Sequence, residues 1–209
     1  MVNETGRSLA TESEIRDAIR NLRHTLESGS QLPNVWTFFS NKNKKLLTIQ
    51  GDVPFIQSIL LERDCSVQRY SIKSDDPRLK CDAGVCILAE YVDGSIEWML
   101  CGRHSRILSN DKETVARVKL LAESINARFS LVTEKTVEPR LIEFQNWLTL
   151  SAALVRARDF SIEKETEAIL HHLRSNSDST FEEVMSFSGL DPALTIASVA
   201  RLVMNGRVT

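Results

Sequence analysis

Several features are scarce in this 209-residue sequence, and each shortage removes a class of protein. The four cysteines form no Cys-x-x-Cys pair and have no His-x-x-x-His nearby, so neither a zinc site nor a disulfide framework is indicated. No apolar run approaches the roughly 18 residues that a membrane span needs. The formal net charge is only −2, so contact with a polyanion requires a local basic patch. We therefore expect a cytoplasmic protein with no membrane partner.

The residues that are present describe an ordinary globular chain. Hydrophobic residues make up 42% of the sequence and charged residues 26%, which favours a packed core over a disordered chain. A length of 209 residues exceeds the usual domain of about 100–150 residues but falls short of two such domains. One main core with a smaller appended module is the expected organisation.

The N-terminal region, residues 1–30, predicts a polar tail and one helix. The α/β domain that follows is expected over residues 31–137, and it opens with aromatic residues for which we favour core packing, namely Trp36, Phe38 and Phe39. A short apolar strand over residues 46–49 then precedes an amphipathic helix over residues 52–63. Pro54 fits the first turn of that helix, where its missing N–H costs nothing.

The middle of the domain predicts a β-hairpin. After a strand over residues 66–72, the apolar runs 84–92 and 95–101 are separated by Asp93-Gly94, the strongest short-range hairpin signal. Gly94 is expected to take a positive φ there. A helix capped by Asn110 or Asp111 and a strand over residues 129–133 follow, and a crossover should place that strand beside the hairpin.

Beyond the α/β domain the pattern is helical. Residues 138–175 predict a helical linker, and residues 176–209 predict two short helices around a Gly-containing turn, as in a helix-turn-helix. Residues 158–209 carry five basic and eight acidic side chains, which opposes duplex reading by this module alone. The last helix has more apolar positions than two short helices can bury, so preceding helices or a second chain must cover it.

The order of these motifs resembles the endonuclease subunit of heteromeric transposons, the TnsA-like family. Three motifs carry the resemblance, which spans roughly residues 45–208: the segment 61–67 after a helix, the hairpin around Asp93-Gly94, and the segment 129–135 ahead of a helical region. The resemblance implies a restriction-endonuclease-like central mixed sheet flanked by helices. It also implies a C-terminal winged-helix-like module after the linker.

Such nucleases need Mg²⁺ held by a carboxylate on the helix and another on the first hairpin strand, with a lysine on the second strand. The matching positions here are Pro54 on the helix, Cys86 on the first strand, and Arg103 and His104 on the second. All three expected groups are absent, and Asp52 and Asp82 are only weak substitutes. The resemblance therefore implies a catalytically inactive accessory subunit without a cofactor.

Two other functions stay open at this point: an active Mg²⁺-dependent endonuclease with a migrated site, and a winged-helix transcriptional regulator. For the accessory subunit we expect DNA as one partner and a transposase subunit or a second copy of the chain as another. The candidate phosphate contacts are Lys42, Lys44, Lys45, Arg103, Arg106, Arg201 and Arg207.

Overall fold

The computed structural model describes residues 34–73, 84–103, 112–176, 178–187 and 189–208. The predicted N-terminal helix and the candidates Asp82, His104 and Arg106 lie outside the described residues. The strands are β1 Val35–Ser40, β2 Lys45–Gln50, β3 Val67–Ile72, β4 Gly84–Tyr91, β5 Ile96–Gly102 and β6 Arg128–Val132. The helices are α1 Asp52–Arg63, α2 Lys112–Ser124, α3 Glu134–Val137, α4 Leu141–Arg156, α5 Glu163–Ser175, α6 Phe181–Met185 and α7 Pro192–Met204, with a 3₁₀ turn Glu138–Arg140 before α4.

A four-stranded mixed sheet in the order β3-β4-β5-β6 forms the centre of the fold. β3, β4 and β5 are antiparallel neighbours, and β6 returns parallel to β5 after the α2 crossover. α1 packs on one face of the sheet, and α2 packs on the other. The predicted α/β architecture, with a central mixed sheet flanked by helices, is confirmed.

The aromatic cluster before α1 forms a strand that the sequence analysis did not predict. β1 pairs antiparallel with β2 in a separate two-stranded sheet. Its inward side chains pack on α1, where the ring of Trp36 stacks on Phe55 at 4.5 Å and Phe38 meets Phe55 edge-on at 5.7 Å. Core packing was therefore the correct prediction for Trp36 and Phe38, and the strand is an addition to it.

The β4–β5 turn confirms the positive φ predicted for Gly94, which is 81°. The loop is longer than the predicted Asp-Gly pair, because β4 ends at Tyr91 and β5 begins at Ile96. The N–H of Gly94 donates to the carbonyl of Tyr91 at 3.0 Å, and the N–H of Tyr91 donates to the carbonyl of Ser95 at 2.9 Å. Asp93 lacks a positive φ, so the turn is a type I turn followed by a left-handed glycine.

Gly94→Val is expected to lower the free energy of unfolding by about 1 kcal/mol or more, because a β-branched residue is strained at positive φ. A β-carbon at Gly94 would meet no heavy atom within 4 Å, so the cost is conformational rather than steric. Gly94→Asn is the matched control and should lose less, since asparagine tolerates this region. Urea denaturation compares the two variants, and equal losses would contradict the assignment to backbone strain.

The C-terminal helices pack on the α/β core. α4 lies against α1 and α7, and it buries Phe144 and Trp147 in the main hydrophobic cluster. Ala197 and Ala200 of α7 belong to the same cluster, so preceding helices cover the apolar face of α7. The helical spacing of the sequence predicts Ile125 on the inward face of α2, and that prediction was wrong: Ile125 follows the end of α2 and is 49% exposed. No helix in the described ranges is both long and apolar enough to cross a bilayer.

Candidate nucleic-acid interface

The sheet end implied by the resemblance lies where β4 begins and β5 ends, with Gly84 opposite Gly102. Side chains alternate between faces along each strand. Val85 and Cys101 belong to the cluster that contains α1, whereas Cys86 packs with Leu100 in the cluster that contains α2. The degenerate position Cys86 therefore lies on the face of the sheet away from α1, and Val85 occupies the α1 face.

The other positions that the resemblance implies also offer no free group for binding Mg²⁺. Pro54 is buried in the first turn of α1, and its carbonyl accepts a hydrogen bond from Ser58 Oγ at 2.8 Å. One oxygen of Asp52 accepts hydrogen bonds from Trp36 Nε1 and Asn34 Nδ2, both at 2.9 Å, which ties α1 to β1. Arg103 follows the last residue of β5 and is half-buried. Over the described ranges, no three His, Cys, Asp or Glu side chains are grouped to hold a metal.

Glu62 on α1 is a buried carboxylate that the sequence analysis missed. It is 1% exposed and accepts hydrogen bonds from the hydroxyls of Ser40 and Tyr70 and from the backbone N–H groups of Asn41 and Lys42. Burial raises the pKa of Tyr70, and the neighbouring carboxylate raises it further. Glu62 thus fixes the β1–β2 turn to α1 and β3, and its chemistry is structural.

Lys42 is the first of the predicted phosphate contacts, and the structure gives its ammonium other partners. Its Nζ donates to the carbonyl of Asp64 at 2.7 Å and to the carbonyl of Val67. Burial lowers the pKa of Lys42, against the opposing attraction of Glu62 and Asp64. These two hydrogen bonds hold the loop between α1 and β3 in place. Lys42 therefore positions the turn and does not offer a free charge.

Further cations lie on the segments that meet at this loop. Lys44 ends the β1–β2 turn and Lys45 begins β2. Arg207 follows Gly206, and a β-carbon on Gly206 would lie 3.0 Å from Cys65 Sγ in the loop. Arg63 and Arg140 share one carboxylate, Glu143, at 2.7 and 2.8 Å. We call this set the basic corner: Lys44, Lys45, Arg63, Arg140 and Arg207.

The basic corner has an excess of positive charge. Lys44, Lys45 and Arg207 are exposed, and no described carboxylate lies within 4.0 Å of their charged groups. The hydrogen bond from Arg140 holds the pKa of Glu143 below its usual value, and the nearby Arg63 adds to that effect. Exposed, uncompensated Lys and Arg side chains are the groups that bind phosphates of a nucleic-acid backbone.

The last helix does not present the open face that a recognition helix needs. α7 has two exposed residues at its start, Pro192 and Ala193, and only Arg201 further along; its other residues are buried or half-buried. A helix that enters the major groove must expose one face along its length, so that side chains on that face reach the edges of the bases. Arg201 is therefore an isolated surface cation, and it lies apart from any exposed stripe of basic residues on α7.

A serine and a histidine lie close together at the end of α5, the residue types of a nucleophile and its base. His172 Nε2 is 2.8 Å from Ser179 Oγ, while Asn176 Nδ2 contacts His172 Nδ1 at 3.4 Å. Which group donates in each of these two contacts depends on the tautomer of the ring, and the hydroxyl of Ser179 also donates to the carbonyl of Asn176 at 2.9 Å. These contacts close the turn that follows α5.

The basic corner is the described surface that best suits an anionic polymer. Contacts of Lys42, Arg63, Arg140 and Gly206 join the segments that carry these cations near the α1–β3 loop. No family model, curated protein or solved structure matches the chain.

Proposed function

We propose that this chain is a catalytically inactive relative of TnsA-like endonucleases that serves as an accessory subunit of a mobile-element complex, binding DNA and a partner protein. The observation that carries the proposal is the apolar packing at the end of the sheet, on the face that α1 covers. Val85 and Cys101 pack there among apolar residues. Apolar side chains and a cysteine lack the hard oxygen donors that Mg²⁺ requires.

The connectivity of the α/β domain supports the relationship. α1, β3, the β4–β5 hairpin, α2 and β6 follow one another as helix, strand, hairpin, helix and strand. This is the order on which the resemblance rests. A framework that keeps this order while its ligand positions are filled by apolar residues is suited to binding without cleavage.

The basic corner supports DNA as a partner. Its cations contact the phosphate backbone in this proposal, so binding should be independent of sequence and sensitive to salt. Specific placement on a target site then belongs to the partner protein, since α7 exposes a single arginine beyond its first turn.

We expect the purified full-length chain to bind a labelled duplex without cutting supercoiled DNA in Mg²⁺ or Mn²⁺. The double variant Lys44→Glu/Lys45→Glu should weaken binding at least tenfold and lower the slope of log K against log salt by about 2, because each phosphate contact contributes about 0.9. Fluorescence anisotropy over a salt series measures both quantities.

The matched control is Lys112→Glu/Lys119→Glu, which changes the same charge on exposed positions of α2. It should leave the salt slope unchanged if the basic corner is the contact surface. Metal-dependent nicking that disappears in Asp82→Ala would instead establish the active endonuclease. In that case millimolar Mg²⁺ should also raise the melting temperature, since a ligand of the folded state stabilises it.

A further inference from the structure

The β1–β2 hairpin has an outer face that does not pack on the α/β core. Trp36 and Phe38 point inward to α1, so the alternate residues of β1 lie on the opposite face of the hairpin. Phe39 is on that outer face, directly across from Leu46 on β2. Leu46 is 69% exposed, and Phe39 is half-buried. The outer face is therefore an apolar surface that meets solvent and carries an aromatic ring.

The hairpin is basic, although the chain as a whole is not. Residues 34–50 contain three lysines and no aspartate or glutamate, whereas the whole chain has 28 acidic residues and a net charge of −2. Lys42 is turned to the α1–β3 loop, but Lys44 and Lys45 are exposed. Lys45 is the strand neighbour of Leu46, so these lysines border the outer face. The charge of the hairpin is complementary to an anionic partner.

The turn after α4 adds a cation and a second aromatic ring to this surface. The guanidinium carbon of Arg158 lies 5.7 Å from the centre of the Phe39 ring, which is within the range of a cation–π contact. Asp159 contacts the same guanidinium at 3.4 Å, but both side chains are largely exposed, so this pair compensates little of the charge. Phe160 closes the turn through its N–H to the carbonyl of Ala157, and its side chain is 64% exposed. The ring of Phe160 is therefore accessible to a partner.

We propose that the outer face of the hairpin and the turn after α4 together bind single-stranded DNA. We call this surface the hairpin face, and it consists of Phe39, Lys44, Lys45, Leu46, Arg158 and Phe160. Bases stack on the two phenylalanine rings and on the guanidinium plane, and the two lysines contact phosphates. This mode of binding rests on the DNA binding proposed above, and it gives the form of DNA that the subunit holds beside the basic corner.

The combination of groups favours a single strand over the other partners of an exposed apolar surface. In a duplex the faces of the bases are stacked on one another, so the rings of Phe39 and Phe160 would have no base to contact. A protein partner would have to cover two lysines together with the rings, and lysine is depleted in protein–protein interfaces. A single strand presents flat bases and phosphates side by side, which matches aromatic rings beside exposed cations.

Fluorescence anisotropy of the full-length chain tests the preference. The probes are a short labelled DNA strand of mixed sequence and the duplex of the same sequence, measured at the same salt concentration. We expect the single strand to bind about tenfold more tightly than the duplex, which corresponds to the stacking of one base.

Substitutions of Phe160 test stacking directly, because this exposed side chain contributes little to the core. Phe160→Leu keeps an apolar side chain without an aromatic face, and it should weaken binding of the single strand about tenfold while leaving the duplex unchanged. Phe160→Tyr keeps the ring and should bind like the wild-type chain. Val92→Ala, at a position that is 69% exposed in the β4–β5 turn, is the control and should change neither affinity. Far-UV circular dichroism verifies that each variant is folded.

The outcomes separate this mode of binding from the DNA binding on which it rests. Duplex binding as tight as single-strand binding overturns the hairpin face and leaves the basic corner as the DNA contact. Failure to bind either form overturns both. A preference for the single strand that survives Phe160→Leu and Phe39→Leu also overturns the hairpin face, because the bases then stack elsewhere. Tighter binding of an RNA strand of the same sequence assigns the face to RNA and contradicts the choice of DNA.

Discussion

Replacing Glu62 with alanine is expected to lower the free energy of unfolding by about 3–5 kcal/mol, the range found when one partner of a buried charged network is removed. Glu62 is 1% exposed, and the β1–β2 turn, β3 and α1 meet at its carboxylate. Alanine leaves two hydroxyls and two backbone N–H groups without their acceptor. Each buried donor left unpaired costs about 1–3 kcal/mol, so the network more than accounts for the loss.

Two variants calibrate this result in urea denaturation. Tyr70→Phe removes one donor and keeps the carboxylate, and it should cost about 1–2 kcal/mol. Glu123→Ala removes a carboxylate that is 56% exposed and 4.0 Å from Lys119, and it should change stability by no more than about 0.5 kcal/mol. A loss for Glu62→Ala as small as that for Glu123→Ala would contradict the anchoring role.

Local signals in the sequence were sufficient for most of the α/β core. The Asp93-Gly94 pair located the hairpin, Pro54 marked the first turn of α1, and the return of an apolar run after α2 indicated the crossover to β6. Each of these signals acts within a few residues. β1 was not predicted, because Phe39 follows Phe38 and breaks the two-residue alternation that Val35, Trp36, Thr37 and Phe38 begin.

The candidate site depends on contacts that no local pattern records. Glu62 sits near the end of an amphipathic helix, where a glutamate is normally exposed; its burial is decided by the turn at Asn41, about twenty residues earlier. Lys42 and Lys44 look equivalent in the sequence, yet the turn directs only Lys42 to the carbonyls of the α1–β3 loop. The resemblance named Cys86 as a position along β4 without a face, and because a shift of one residue along a strand reverses the face, only the structure shows that Val85 lies beside α1.

Nonlocal packing also determines the second large loss of stability that we expect. The ring of Phe55 joins β1, α1 and α4. Its ring stacks on Trp36 with 6° between the planes, and the edges of Phe38 and Phe144 approach it at 5.7 Å. Phe55→Ala should lower the free energy of unfolding by about 3–5 kcal/mol, since a buried aromatic ring is lost and a cavity remains. The β1–β2 hairpin, which carries Lys44 and Lys45, should lose protection in hydrogen exchange at the same time.

Phe55→Leu distinguishes packing volume from general damage to α1. Leucine keeps most of the buried apolar surface and the helix propensity, so it should lose less than half as much stability as alanine, with an unchanged denaturant slope. If alanine and leucine are equally destabilising, the stacked and edge-on ring contacts carry the stability instead of the filled volume. If alanine costs less than about 1 kcal/mol, the hairpin relaxes into the space, and the basic corner does not depend on the aromatic cluster for its position.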